Sequence, residues 1–131
     1  MKASNRHDLG LLILRIALGV LILLHGIAKL RGGLGGIEGM LTSHGLPAFM
    51  SYGVLIGEVL APVLVLLGCF SRIGSAVIAI NMVFAVGLAH MGQLGQLNEQ
   101  GGWALELQGM FLATAVALAL LGPGRYAINQ R

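Results

Sequence analysis

Four long apolar stretches, separated by polar connections, dominate the pattern of this chain. Each is about twenty residues long, the length that an α-helix needs to cross roughly 30 Å of hydrocarbon. The stretches lack the two-residue alternation of barrel strands, and four strands are too few to close a barrel. The pattern therefore predicts four membrane-spanning helices, at residues 9–30, 48–68, 73–91 and 103–121.

The connections indicate how these helices are arranged. Residues 70–72 form a tight turn, so the second and third helices should be antiparallel neighbours. The connection 31–47 is longer, and its middle, residues 37–44, predicts a short interfacial helix between the first two spans. No internal repeat or linker interrupts the chain. We therefore expect residues 1–131 to form a single domain, an all-α polytopic membrane four-helix bundle.

The composition supports the bilayer as the solvent. The chain is 56% hydrophobic and only 10% charged, whereas a soluble domain has roughly 25% charged residues. Cys69 is the single cysteine, which excludes an intrachain disulfide and a C-x-x-C redox pair. The excess of eight basic over five acidic residues forms no basic cluster, so we expect no nucleic-acid partner.

The distribution of lysine and arginine predicts the orientation, because cytoplasmic loops carry the excess of these residues. With the N-terminus inside, the cytoplasmic side holds Lys2, Arg6, Arg72, Arg125 and Arg131, and the opposite side holds Lys29 and Arg31. Both termini are therefore expected in the cytoplasm. A signal peptide is the alternative interpretation of the first stretch, but the internal Arg15 and the full spanning length argue against it.

Glu58 lies near the middle of the second apolar stretch. A carboxylate at the bilayer centre costs roughly 2.5–3.5 kcal/mol, so a partner or a proton must offset this cost. Arg15 of the first helix lies at similar depth, and the sequence predicts a buried pair between Arg15 and Glu58. The alternatives are that Arg15 extends to the cytoplasmic face, or that Glu58 carries protons itself.

The polar residues of the first helix follow a helical spacing that places them on one face, which we expect to contact the other helices. The members of this face are Arg15, Leu18, Ile22, His25 and Lys29. Lys29 lies close to the helix end, where it has the alternative role of an anchor at the membrane interface.

Polar residues from three helices lie near the outer ends of their spans. His25, His90 and Glu106, with Lys29 one turn beyond His25, form a candidate ligand pocket. The same residues are also typical of a hydrogen-bonded interfacial cluster or a proton relay. Their spacing alone does not support a metal or haem site, and no metal ligand is assigned.

Small residues repeat at four-residue spacing in two of the predicted helices, and such stripes allow close helix packing. Gly53 and Gly57 belong to the stripe in the second helix, and Gly109 begins the stripe in the fourth. Asn81 is expected to donate an interhelical hydrogen bond from the third helix. Pro62 removes the backbone hydrogen bond to the Glu58 carbonyl, which predicts a kink.

The order and spacing of several short motifs resemble the DoxX family of small four-helix membrane proteins over essentially the whole chain. These motifs are Leu14-Arg15-Ile16-Ala17, Leu24 to Leu30, Gly45-Leu46-Pro47, Glu58, Leu67-Gly68 with Arg72, His90, and Gly122 to Tyr126.

The resemblance implies a bacterial inner-membrane protein with a redox-associated accessory role or a small-molecule binding role, with a quinone as the candidate ligand. The family also implies membrane or periplasmic redox proteins as partners, and small-residue stripes are compatible with a homo-oligomer. Two alternatives stay open, a non-catalytic assembly scaffold and a small transporter or proton conductor centred on Glu58. The resemblance carries over no catalytic residue, and the single cysteine argues against intrinsic dithiol chemistry.

Overall fold

The computed structural model describes residues 3–33, 35–87, 95–97, 101–102 and 105–130. All regular elements in this part of the chain are helical, so the all-α expectation is confirmed there. The helices are α1 (Ala3–Gly32), α2 (Gly35–Ser43), α3 (Ala48–Leu67), α4 (Ser71–Ala85) and α5 (Glu106–Leu121).

Two of these helices, Asn5–Gly32 within α1 and Ala48–Leu67, are long and apolar enough to cross a membrane. The helices α4 and α5 are apolar but shorter. The helical geometry of α4 continues to residue 87, where the described segment stops, and the last predicted helix begins at residue 106 within the described part. The short helix predicted at residues 37–44 is confirmed as α2.

The helix α3 is continuous but changes its geometry along its length. It begins as a 3₁₀ turn at Ala48–Met50, becomes an α-helix, and widens to a π-helix at Ile56–Leu60 before the last α-helical part. Pro62 follows directly in the first turn of that last part. Because proline lacks the N–H that an α-helix would direct to the carbonyl of residue 58, the regular pattern cannot continue through this point.

A compact turn joins α3 to α4 at residues 68–70, two residues before the predicted 70–72, because Ser71 and Arg72 already belong to α4. Gly68 takes the left-handed conformation, with a φ of 70°. The N–H groups of Gly68 and Cys69 donate to the carbonyls of Val65 and Leu64, at 3.2 and 3.0 Å. This pair of bonds is a Schellman motif, which ends the helix and reverses the chain so that α4 packs against α3.

The packing brings α1 against α3, α3 against α4, α4 against α5, and α5 back against α1. The side chains packed between these helices form an aliphatic and aromatic core. The outer surface of the same helices is apolar as well. Ile13, Leu24 and Leu120 are 59%, 58% and 75% exposed, while Arg15 and Glu58 are buried. Since water-soluble proteins bury charges only rarely, this inverted distribution fits a lipid environment.

Candidate functional site

The charged centre of the structure joins α1 to α3. The Lys29 ammonium donates a hydrogen bond to Glu58 Oε2 and forms an ion pair with it. Glu58 is 3% exposed and Lys29 is 34% exposed, so the carboxylate lies at the bottom of the site and the ammonium at its edge. The ion pair and its hydrogen bond offset the cost of the buried carboxylate.

A close approach of the two helix backbones makes this pair possible. Gly26 of α1 faces the backbone of Glu58, and a Cβ at Gly26 would overlap the Glu58 carbonyl oxygen and lie 2.7 Å from its carbonyl carbon. Only glycine allows this contact without moving the helices apart. The contact places Lys29, one turn further along α1, beside the Glu58 side chain.

The π-helical turn of α3 contains Glu58 and Gly57, both of which are buried. An inserted π-turn rotates the residues that follow it relative to a regular α-helix, and such turns are frequent at functional sites. Gly57 faces α4, where a Cβ would lie 2.7 Å from both Cβ and Cγ of Asn81. The turn therefore places Gly57 against α4 while the Glu58 side chain reaches α1.

A cavity of about 200 Å³ surrounds the ion pair. An apolar cavity of about 150 Å³ accepts a benzene molecule, so this space has room for a single substituted ring. Polar groups from α1, α3 and α5 meet on walls that are otherwise apolar. The lining residues are Ile22, His25, Lys29, Glu58, Met82, Ala85, Leu107, Gln108 and Phe111.

His25 lines this cavity from α1. Its Nδ1 lies 2.8 Å from the carbonyl oxygen of Leu21. Because a carbonyl only accepts, Nδ1 carries a proton in this contact, and Nε2 is the ring nitrogen left for a ligand. The imidazole meets the ring of Phe111 edge-on, with 5.7 Å between centroids and an interplanar angle of 86°, which fixes the relative position of α1 and α5 at this depth.

The structure brings together part of the ligand pocket that the sequence predicted. His25 and Lys29 line the cavity. Glu106 opens α5 with its carboxylate against Gly102 and does not line the cavity. His90 lies outside the described residues.

Five cavity residues were missed by the sequence interpretation: Met82, Ala85, Leu107, Gln108 and Phe111. Gln108 lies two residues after Glu106 in α5. A helical projection of α5, examined at the depth of His25, would have indicated that Gln108 belongs to the site. Among the described residues, no group of three His, Cys, Asp or Glu side chains is placed to hold a metal ion.

Arg15 occupies a separate site nearer the N-terminal end of α1, where its partners among the described residues are backbone carbonyl oxygens. Its Nε donates to Val65 at 2.9 Å and its Nη2 to Leu66 at 3.1 Å, both at the C-terminal end of α3. Its Nη1 donates to Tyr126 at 2.7 Å and to Pro123 at 3.2 Å, in the segment that follows α5. The guanidinium thus caps α3 and holds the C-terminal segment across it.

The structure therefore does not form the predicted Arg15–Glu58 pair. Glu58 binds Lys29, and Arg15 satisfies its donors with backbone carbonyls. Similar depth in the membrane was the basis of the predicted pair, but depth does not give the direction in which a side chain leaves its helix. The free carbonyls at a helix C-terminus carry partial negative charge and accept the guanidinium instead.

The predicted packing residues differ in what they contact. Gly57 packs against Asn81 as described above, and Gly109 is half-buried within α5. The predicted role of Gly53 in close helix packing is wrong, because a Cβ at Gly53 would meet nothing within 4 Å. Gly53 instead borders a second, apolar cavity of about 190 Å³ between α2, α3 and α4, which Asn81 also lines.

Comparison with known proteins agrees with the sequence motifs. The family model described as DoxX matches residues 10–91, a span that contains Arg15, Lys29 and Glu58. A Bacillus subtilis (strain 168) protein named "Putative oxidoreductase CatD" is 30% identical over 126 residues, which cover 96% of this chain and 89% of that protein. No solved structure matches the chain.

Proposed function

Because this chain belongs to the DoxX family, we propose that it is a redox-associated, multi-pass protein of the bacterial inner membrane that binds a single-ring quinone. The name of the B. subtilis relative supports the redox association. The cavity around Lys29 and Glu58 is the proposed binding site. The observation that carries the proposal is this combination of a ring-sized space, apolar walls and a few convergent polar groups.

The proposed architecture is a four-helix bundle of α1, α3, α4 and α5 with both termini in the cytoplasm. The cyclic order of helix contacts and the apolar outer surface support it. In this orientation the inner end of the bundle holds Arg15, and the quinone cavity lies in the outer half. A ligand from the lipid phase would then reach the cavity laterally, without crossing water.

The polar groups have distinct roles in the proposed site. Lys29 and the Gln108 amide donate hydrogen bonds to ring oxygens, and Phe111 with Met82 contacts the ring faces. His25 offers Nε2 as an acceptor. In the proposed accessory role, the chain presents the bound ring to a redox partner protein.

A cavity-filling variant tests the binding site without changing its polar groups. Ala85 lines the cavity, and Ala85→Leu should fill part of the space. Ala76, on the exposed surface of the same helix, provides the matched control Ala76→Leu. We expect duroquinone, measured by titration into protein in lipid nanodiscs, to bind wild type and the control equally and Ala85→Leu at least about tenfold more weakly, roughly 1.4 kcal/mol.

Two results would contradict the proposal. Equal affinity in all three proteins would place the ligand elsewhere. Absence of saturable binding by wild type would remove the quinone role and favour the assembly scaffold, which the small-residue stripes and apolar surface also suit.

A further inference from the structure

The ion pair of the cavity is asymmetric in its hydrogen bonding. The Glu58 carboxylate, 3% exposed, only accepts hydrogen bonds, and Lys29 at the edge only donates them. One oxygen of a ligand can satisfy both groups if that oxygen both donates and accepts. A hydroxyl does this, whereas a carbonyl only accepts.

The two redox forms of a quinone differ in this property. The hydroquinone form presents two ring hydroxyls, and the oxidised form presents two carbonyls. A hydroxyl placed at the pair donates to Glu58 Oε and accepts from Lys29 Nζ. A carbonyl at the same position accepts from Lys29 but sets its oxygen against the carboxylate, which repels it; Glu58 keeps the hydrogen bond from Lys29 but gains none from the ligand.

The burial of Glu58 makes this difference large. Because the Glu58 side chain is only 3% exposed, few water molecules reach its carboxylate, and interactions between charges and dipoles there are stronger than in solvent. Gln108, a neutral polar group that lines the cavity, has both a donor and an acceptor and serves either form equally. His25 is also polar, but the charged carboxylate of Glu58 is the stronger acceptor and therefore the main source of discrimination.

We propose that the cavity is selective for the hydroquinone, with Glu58 as the residue that determines this specificity. The inference rests on the proposed function, because it names the redox form that the same site takes. Under this inference the protein holds the reduced form of the quinone–hydroquinone couple. A partner that oxidises a hydroquinone would then receive its substrate from this site, and one that reduces a quinone would release its product here.

The test compares the two forms of one probe. Durohydroquinone and duroquinone are titrated anaerobically into wild-type protein in nanodiscs. We expect the hydroquinone to bind at least about tenfold more tightly, which raises the midpoint potential of the bound two-electron couple by about 30 mV relative to the free couple. Spectroelectrochemical titration measures the potential independently of the two affinities.

Variants then locate the source of the preference. Glu58→Gln keeps the size of the side chain but adds an amide donor for a carbonyl, so the preference should fall to about one or reverse. Gln108→Leu is the matched control, since it should weaken both forms similarly and leave their ratio unchanged. Glu58→Asp keeps a carboxylate, which only accepts hydrogen bonds, and should retain the preference for the hydroquinone. This variant is measured in place of Glu58→Gln if Glu58→Gln does not fold.

Each outcome decides a different point. Equal affinity of the two forms for wild type, or tighter binding of the quinone, overturns the inference and leaves the proposed function in place. A preference that survives in Glu58→Gln also overturns it, because another group must then discriminate. Failure of both forms to bind overturns the proposed function and the inference with it.

Discussion

The contact between Gly26 and the backbone of Glu58 makes a sharp prediction about how the site is assembled. Gly26→Ala adds one methyl group at the point where α1 and α3 are closest. That methyl would overlap the Glu58 carbonyl oxygen and lie 2.8 Å from Cγ2 of Val59. A carbonyl group of the backbone cannot rotate away as a flexible side chain does, so the helices must separate.

The magnitude follows from two opposing effects. Alanine is favoured over glycine in a helix interior by about 1 kcal/mol. Overpacking of a close interface costs about 1–3 kcal/mol, and the rigid backbone contact puts Gly26→Ala at the upper end of this range. We therefore expect a net loss of about 1–2 kcal/mol in the free energy of unfolding.

Gly10 is the matched control on the same helix. A Cβ at Gly10 would meet nothing within 4 Å, so Gly10→Ala should leave the packing unchanged and gain stability from helix propensity. Unfolding of both variants and wild type can be measured by SDS titration in mixed micelles with far-UV circular dichroism. The two variants should differ by about 2–3 kcal/mol, with Gly26→Ala the less stable.

The same variants separate stability from site geometry. If α1 moves away from α3, Lys29 moves away from Glu58, and duroquinone affinity should fall in Gly26→Ala but not in Gly10→Ala. Equal stability of the two alanine variants would refute the reasoning, because it would mean that α1 and α3 do not approach each other at Glu58.

Two further predictions concern pairing and topology. In double-mutant cycles, Lys29→Gln and Glu58→Gln should be coupled by about 0.5–3 kcal/mol, whereas Arg15→Gln and Glu58→Gln should add within about 0.5 kcal/mol. If Arg15 is coupled with Glu58 and Lys29 is not coupled with Glu58, the pair predicted from the sequence would be restored. Reporter fusions at Arg131 and Asn98 should report opposite sides of the membrane, as the distribution of Lys and Arg predicts; the same side for both would exclude the four-span topology.

The helical segments of this protein were predictable because their signals are local. A run of apolar residues long enough to span a bilayer predicts a helix wherever its neighbours lie, and glycine or proline marks where it stops. The turn before α4 and the short helix α2 were predicted for the same reason. The apolar composition also indicated that Glu58 needs a partner.

The identity of that partner was decided by tertiary structure. Arg15 and Lys29 lie on the same predicted face of α1, and the sequence analysis paired Arg15 with Glu58 because these two lie at similar depth. The choice between them depends on where α1 touches α3, and that point is set by Gly26, whose neighbour is distant in the chain.

The sequence by itself therefore indicated the helical segments, their apolar character and three polar residues of the candidate site, His25, Lys29 and Glu58. Only the tertiary structure decided that Lys29 binds Glu58, that Arg15 binds the carbonyls of Val65 and Tyr126, and that a ring-sized cavity lies beside the ion pair. The physical reason is that hydropathy and helical period describe each segment alone. Side-chain partners depend instead on the rotation and closest approach of helices that are far apart in the chain.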